Sequence, residues 1–256
     1  METQVKIKKA GKFFAIIMSV LALCLTFTMA DFFSSLITVG GFTFTSNSIT
    51  LPKYNLFAVC ITSANTKAQA EENANMCKMQ GGAGYLYLYE GKFYIIASVY
   101  ENESDADKVL TNIKNTNPHS TKINIQIDTI SISSNLSSEE KTTLEKALNI
   151  FKDTYKELYD ISVSLDTGVI NEVNARLSVN SLGSGINTIS SNFTTLFNAQ
   201  MTNNFLNIKL KLNELSSTIN NLINAPTTHP YTSQLKLAYT ETLFIYSSLA
   251  QNLVSK

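Results

Sequence analysis

The sequence has few of the residues on which nucleic-acid binding and metal binding usually depend. Arg176 is its only arginine, tryptophan is absent, and there are two histidines. Phosphate is usually held by clustered arginine side chains, and the formal net charge here is zero, so we expect no nucleic-acid partner. His119 and His229 lie far apart, with no cysteine or carboxylate at ligand spacing beside them. We therefore expect no metal site.

The three cysteines are Cys24, Cys60 and Cys77, and only the last two lie where oxidation could pair them. Cys60 falls at the end of a predicted strand, and Cys77 lies well into the helix that follows. This places them roughly 15 Å apart along that helix, whereas a disulfide needs Cα atoms within about 7 Å of each other. Two buried free thiols are favoured over a disulfide.

The motifs of common catalytic sites are also missing. There is no nucleophile elbow, and the glycines around Gly82 precede a strand, so they offer no helix N-terminus to a phosphate. The acidic residues Glu101, Glu103 and Asp105 are typical of a solvated helix start. We predict a protein without enzymatic activity and without a cofactor.

The N-terminal region predicts a membrane anchor. Residues 13–30 carry no charge, and as a helix they would match a hydrocarbon core of about 30 Å. Lysines dominate the charge before them, which predicts a cytoplasmic tail at 1–12, a single-pass anchor at 13–36 and extracytoplasmic domains. A cleaved secretory signal, with small residues before Asp31, is the alternative. Residues 37–52 then form a linker.

Residues 53–131 show the pattern of an α+β domain. Apolar side chains alternate with polar or small ones from Phe57 to Thr62, and alanines then recur at helical spacing up to Cys77. A tyrosine-rich strand and its partner flank a tight turn at Glu90, and a second helix and a fourth strand follow. The order is β-α-β-β-α-β. Because the two halves repeat in register, a ferredoxin-like split βαβ sandwich is predicted.

Residues 136–256 are predicted to form a helical bundle. Ser137 and Glu140 make a capping box, and a later helix has heptad spacing of its apolar residues. These apolar residues are Phe205, Ile208, Leu212, Leu215, Ile219 and Leu222. They form either the bundle core or, through the first four, a surface for a protein partner or self-association.

The domain at 53–131 resembles the SPOR family. The resemblance is carried by two segments: Phe57-x-Val59-x-Ile61 before a helix with Ala70, and Phe93-x-Ile95-x-Ala97-Ser98-Val99-Tyr100 before a helix with Ala106. Ser98 and Val99 stand where the family has Gly-Pro, and Cys60, Thr62 and Ala64 also depart from its pattern. The resemblance implies binding of peptide-free septal peptidoglycan strands through the sheet surface, often in single-pass proteins of cell division or sporulation.

The alternation also predicts which side chains lie on the sheet face away from the two helices. If Leu86 and Leu88 point to the core, a set of tyrosines with small neighbours faces outward and could stack on sugars. The predicted glycan-binding residues are Tyr85, Tyr87, Tyr89, Tyr94, Ile96, Ser98, Cys60 and Thr62. In the alternative, the helical bundle packs over this face.

These patterns together predict a membrane-anchored extracytoplasmic protein that binds peptidoglycan glycan strands during division or sporulation. The alternative is a scaffold whose SPOR-like domain and helical bundle bind protein partners.

Overall fold

The computed structural model describes residues 48–133 and 135–254. The described residues all belong to one compact unit. The predicted tail, the anchor at 13–36, Cys24 and most of the linker lie outside the described residues. No helix within the described ranges is long and apolar enough to cross a membrane.

The fold class is α+β, with six α-helices and two antiparallel sheets in the described residues, the last four helices being C-terminal. The strands are β1 (Ser48–Leu51), β2 (Tyr54–Ala64), β3 (Tyr85–Tyr89), β4 (Lys92–Tyr100), β5 (Thr121–Ile127) and β6 (Ile130–Ser133). The helices are α1 (Lys67–Met79), α2 (Glu103–Lys114), α3 (Ser138–Asp166), α4 (Glu172–Phe197), α5 (Asn203–Ile223) and α6 (Tyr231–Val254), with a 3-10 turn at Asn198–Gln200.

The larger sheet has the order β3-β4-β2-β5 with antiparallel neighbours. The predicted element order is therefore present between β2 and β5. The predicted hairpin of β3 and β4 is confirmed, and Glu90 and Gly91 at its turn have φ of 48° and 75°. A two-residue turn in which both residues have positive φ matches the right-handed twist of the flanking strands.

The smaller sheet corrects part of the linker prediction. Residues 48–51 are strand β1, which pairs antiparallel with β6, so they are not linker. Ile49 and Leu51 on β1 are buried with Ile130 and Ile132 on β6. Such a short segment carries too weak a periodic signal to be read as a strand, and its partner comes about eighty residues later in the chain.

The four C-terminal helices pack in a closed ring. Helix α4 packs against α3 and α5, and α6 packs against α5 and α3, which is the arrangement of a four-helix bundle. The predicted capping box of Ser137 and Glu140 is present at the start of α3. Gly183 lies within α4, where a Cβ atom would come within 3.2 Å of Ile219 and 3.1 Å of Ile223. This glycine therefore permits the close approach of α4 and α5.

The heptad residues of α5 form the bundle core. Phe205, Ile208, Leu212 and Leu215 are all buried, so they are not available to a protein partner in this fold. The heptad spacing was right, but periodicity shows which side of a helix is buried and not whether another chain or the same chain buries it. The prediction that these four residues bind a partner is replaced by a role in the bundle core.

Candidate functional site: the tyrosine edge of the sheet

Helix α6 covers the face of the larger sheet that lies away from α1 and α2. Tyr239 of α6 shares a hydrogen bond with Ser98 of β4. The ring of Phe244 stacks on Tyr85, with centroids 4.6 Å apart and an interplanar angle of 11°. The Ser233 hydroxyl donates a 2.7 Å hydrogen bond to the carbonyl oxygen of Gly82. Of the two alternatives, the structure therefore has the bundle packed over this face.

This packing removes three of the predicted glycan contacts from the surface. Cys60 and Ile96 have no exposed area, and Ser98 is 6% exposed. Their alternation placed them on the correct face, but α6 fills the space in which a ligand would lie.

Cys60 and Cys77 are both buried free thiols, as predicted. Burial raises the pKa of the Cys60 thiol to about 12, so it stays protonated and unreactive at neutral pH.

Thr62 lies on the opposite face from the one predicted. The pairing of β2 with β4 is irregular between Cys60 and Thr62, and Thr62 pairs with Ile95. Ile95 belongs to the apolar cluster beneath α1, and directly paired residues share a face. An extra residue in a strand reverses the alternation that follows it, so the bulge takes Thr62 away from the other predicted contacts.

Of the two possible phases of β3, the structure has the one that places Leu86 on the side of α1. Leu86 packs against the cluster beneath α1, and the tyrosines of β3 point to the other face. Tyr85 is held under Phe244, and burial raises its pKa to about 12. The stack of Tyr85 on Phe244 makes Tyr85 part of the packing between sheet and bundle, so it is not a free ligand contact.

Three of the predicted residues remain together at the surface: Tyr87, Tyr89 and Tyr94. We call them the tyrosine edge. Tyr89 is 41% exposed, and Tyr87 and Tyr94 are half-buried. The rings of Tyr87 and Tyr89 lie nearly parallel with centroids 5.9 Å apart, and Tyr94 lies 6.3 Å from Tyr89. Phe244 supports the row, with its centroid 4.9 Å from that of Tyr87.

The hairpin gives these rings their positions. Tyr87 pairs directly with Tyr94 across β3 and β4, and Tyr89 follows Tyr87 on the same face after two residues. β3 is the outer strand of the sheet, so one of its edges has no strand partner among the described residues. The result is an aromatic surface that rests on Phe244 on one side and meets solvent at Tyr89.

The tyrosine edge presents phenol rings and their hydroxyls. The pKa of Tyr89 is raised because the negative charge of Glu90 lies close by and a hydrogen bond joins the two side chains. A neutral phenol offers an aromatic face for stacking and a hydroxyl that can donate or accept a hydrogen bond. Within the described ranges, no group of three or more His, Cys, Asp or Glu side chains could hold a metal ion.

A half-buried carboxyl in α3, that of Asp153, predicts a dependence of stability on pH. Burial raises the pKa of Asp153 from 3.8 to about 6, and Lys156 and Lys152 lower it only in part. Since the folded pKa is the higher one, the folded state binds the proton more tightly. The resulting stabilisation is present below about pH 4 and is lost as the pH rises through about 6.

We therefore expect Asp153→Asn to increase the free energy of unfolding at pH 7.5 by about 1–2 kcal/mol, after allowance for partial solvent screening. At pH 4 the expected change is close to zero. Urea unfolding of the full chain at both pH values measures this, with Asp128→Asn, an exposed carboxylate, as the control. An equal effect of Asp153→Asn at the two pH values would show that the carboxyl titrates normally in the folded protein.

No family model, curated protein or solved structure matches this chain.

Proposed function

We propose that this chain is a membrane-tethered extracytoplasmic protein that binds glycan strands of septal or remodelled peptidoglycan through the tyrosine edge. The observation that carries the proposal is the row of Tyr87, Tyr89 and Tyr94 at a part of the sheet face that α6 leaves accessible. Support also comes from the strand order β3-β4-β2-β5, which is that of a ferredoxin-like split βαβ sandwich. SPOR domains, which the sequence resembles, have this fold.

The geometry of the tyrosine edge fits a chain of sugar rings better than a compact ligand. Sugar rings present apolar C–H faces that stack on aromatic rings and hydroxyls that bond to phenols. The near-parallel rings of Tyr87 and Tyr89 form a surface that extends along β3. An extended surface of this kind contacts neighbouring sugars of one strand, whereas a small ligand would need a concave site.

The topology proposed from the N-terminal residues agrees with this ligand. An uncleaved anchor at 13–36 with a tail of about a dozen residues inside the cell would leave the described domains on the outer side of the membrane. Peptidoglycan lies on that side. A tether would also hold the tyrosine edge close to the membrane at which the septal wall is built.

The proposal predicts that Tyr89→Ala weakens binding to purified sacculi about tenfold, the factor that corresponds to loss of roughly 1.4 kcal/mol of stacking. The double variant Tyr89→Ala, Tyr94→Ala should abolish binding. Co-sedimentation of the full chain with sacculi, and with sacculi from which the peptides have been removed, measures both. Leu88→Ala is the matched control, because Leu88 lies on the same strand, is 60% exposed and points to the opposite face.

Retention of full binding by the double variant would refute a role for the tyrosine edge. Absence of binding by the wild-type chain would refute the glycan proposal itself.

A second candidate function is that of a scaffold for protein partners. One observation favours it: Val169, Val173 and Leu177 are large apolar side chains that are mostly exposed around the start of α4. Val173 and Leu177 are four residues apart and therefore lie on one side of the helix. If this surface mediates self-association, light scattering should give more than one chain per particle. The substitution Leu177→Asp should then restore the monomer.

A further inference from the structure

A pocket of about 260 Å³ lies at the junction of the sheet and the bundle, at the opposite end of β4 from the tyrosine edge. We call it the junction pocket. It lies between the end of β4, the start of α2 and the second half of α3. Its lining includes three tyrosines and three acidic residues, namely Tyr100, Tyr155, Tyr159, Glu101, Asp105 and Asp160.

The aromatic part of the pocket is built rigidly. The ring of Tyr159 lies edge-on to Tyr100, with centroids 6.2 Å apart, and 6.0 Å from Tyr155. Tyr155 is 2% exposed, and its hydroxyl donates a 3.3 Å hydrogen bond to the carbonyl oxygen of Val99. These contacts fix the rings before any ligand arrives, which lowers the entropic cost of binding.

The charged part of the pocket is negative. Glu101 accepts a hydrogen bond from the hydroxyl of Tyr54, and Asp105 pairs with Lys108 at 2.9 Å. Asp160 makes no ion pair within the described part of the chain. Lys156 is the single cationic residue of the lining. Because Lys108 already pairs with Asp105, Glu101 and Asp160 are the two lining carboxylates without an ion pair among the described residues. Asp160 is exposed at the rim of the pocket, where partial desolvation raises its pKa and Lys156 lowers it.

We propose that the junction pocket binds a small alkylammonium ion. The half-buried rings of Tyr100 and Tyr159 carry negative charge on their faces, and such a ring attracts a cation within about 6 Å of its centroid. The neighbouring carboxylates add a direct attraction for the same charge. The volume admits an ammonium group on a short chain and excludes a sugar strand, so this ligand is distinct from the one proposed for the tyrosine edge.

Two other ligand classes fit the pocket less well. A metal ion needs several close oxygen or nitrogen ligands, and no such group is found among the described residues. A zwitterionic head group such as phosphocholine would bring a phosphate towards Glu101, Asp105 and Asp160, and like charges repel. A simple cation therefore fits the charge of the site better than a lipid head group does.

The test uses the full chain in a polyoxyethylene detergent, which carries neither choline nor sugar. Ligand-observed NMR measures binding of choline, of its neutral isostere 3,3-dimethylbutan-1-ol and of phosphocholine. We expect choline to bind with a Kd of about 1 mM and the other two compounds to bind at least about tenfold more weakly.

Three variants identify the site. Asp160→Asn should weaken choline binding about tenfold, and Lys156→Gln should strengthen it, because it removes the opposing charge. Glu145→Gln, which removes a carboxylate from α3 outside the lining, should change nothing.

The proposal is overturned if choline does not bind, if it binds no better than its neutral isostere, or if Asp160→Asn and Glu145→Gln bind it equally. Tighter binding of phosphocholine than of choline would assign the site to a lipid head group and would also overturn the proposal. None of these outcomes depends on binding to sacculi.

Discussion

Replacing Tyr239 by alanine is expected to lower the free energy of unfolding by about 3–5 kcal/mol, the usual cost of truncating a large buried aromatic side chain. Tyr239 is among the largest fully buried side chains in the described residues. Its ring lies edge-on to Tyr155 at 5.6 Å, and its hydroxyl shares a hydrogen bond with Ser98. The substitution would therefore open a cavity where α6, α3 and the sheet meet.

The hydrogen bond can be separated from the ring by a double-mutant cycle. Tyr239→Phe leaves the Ser98 hydroxyl buried without this partner, and Ser98→Ala does the same to Tyr239. Each should cost about 1–3 kcal/mol, the desolvation penalty of a buried polar group. The double variant should cost less than the sum of the two, because neither unpaired hydroxyl remains.

Urea unfolding of the full chain, followed by far-UV circular dichroism, measures all four proteins of the cycle. Since the chain has no tryptophan, backbone ellipticity is a more direct signal than fluorescence. Additive effects of Tyr239→Phe and Ser98→Ala would mean that the two hydroxyls do not interact, and would contradict the docking of α6 on the sheet.

Substitution of Gly84 by alanine is expected to cost about 2–4 kcal/mol, because two separate penalties act at this position. Gly84 has φ of +58°, a left-handed conformation that a side chain disfavours. A Cβ atom would also come within 2.4 Å of the backbone oxygen of Ala74 in α1. Since that oxygen belongs to the helix backbone, α1 would have to move away from the sheet.

Gly91→Ala is the matched control. Gly91 has φ of +75°, but a Cβ atom there would meet nothing within 4 Å, so only the conformational penalty of about 1–2 kcal/mol applies. The difference in unfolding free energy between the two variants isolates the contact with Ala74. If the two variants lose the same stability, α1 does not pack closely against Gly84.

The elements that depend on local signals could be predicted from the sequence. The tyrosine strand alternates strictly up to Tyr89, and Glu90-Gly91 supplies the turn, so the hairpin was predictable without any distant contact. The capping box at Ser137 is also local. The short strand β1 could not be predicted, because its partner β6 is far away in sequence and four residues give no distinct period.

The candidate site was predictable only in part. Alternation correctly placed Cys60, Ile96 and Ser98 on one face, but it carries no information about what covers that face. Helix α6 reaches the sheet through Tyr239 and Phe244, and these apolar positions look the same in sequence whether they meet another helix or a sheet. The bulge that moves Thr62 could not be predicted from the sequence either, since one unpaired residue leaves the composition of the strand unchanged.

One titration distinguishes glycan binding at the tyrosine edge from glycan binding at the sheet face that α6 covers. The full chain is labelled with ¹³C in its tyrosine rings and titrated with peptide-free glycan fragments of peptidoglycan, and the ring resonances are followed by NMR. We predict that the resonances of Tyr87, Tyr89 and Tyr94 shift in a saturable way while those of Tyr155 and Tyr239 stay in place. Shifts of Tyr239, which require α6 to leave the sheet, or the absence of any saturable shift, would contradict glycan binding at the tyrosine edge.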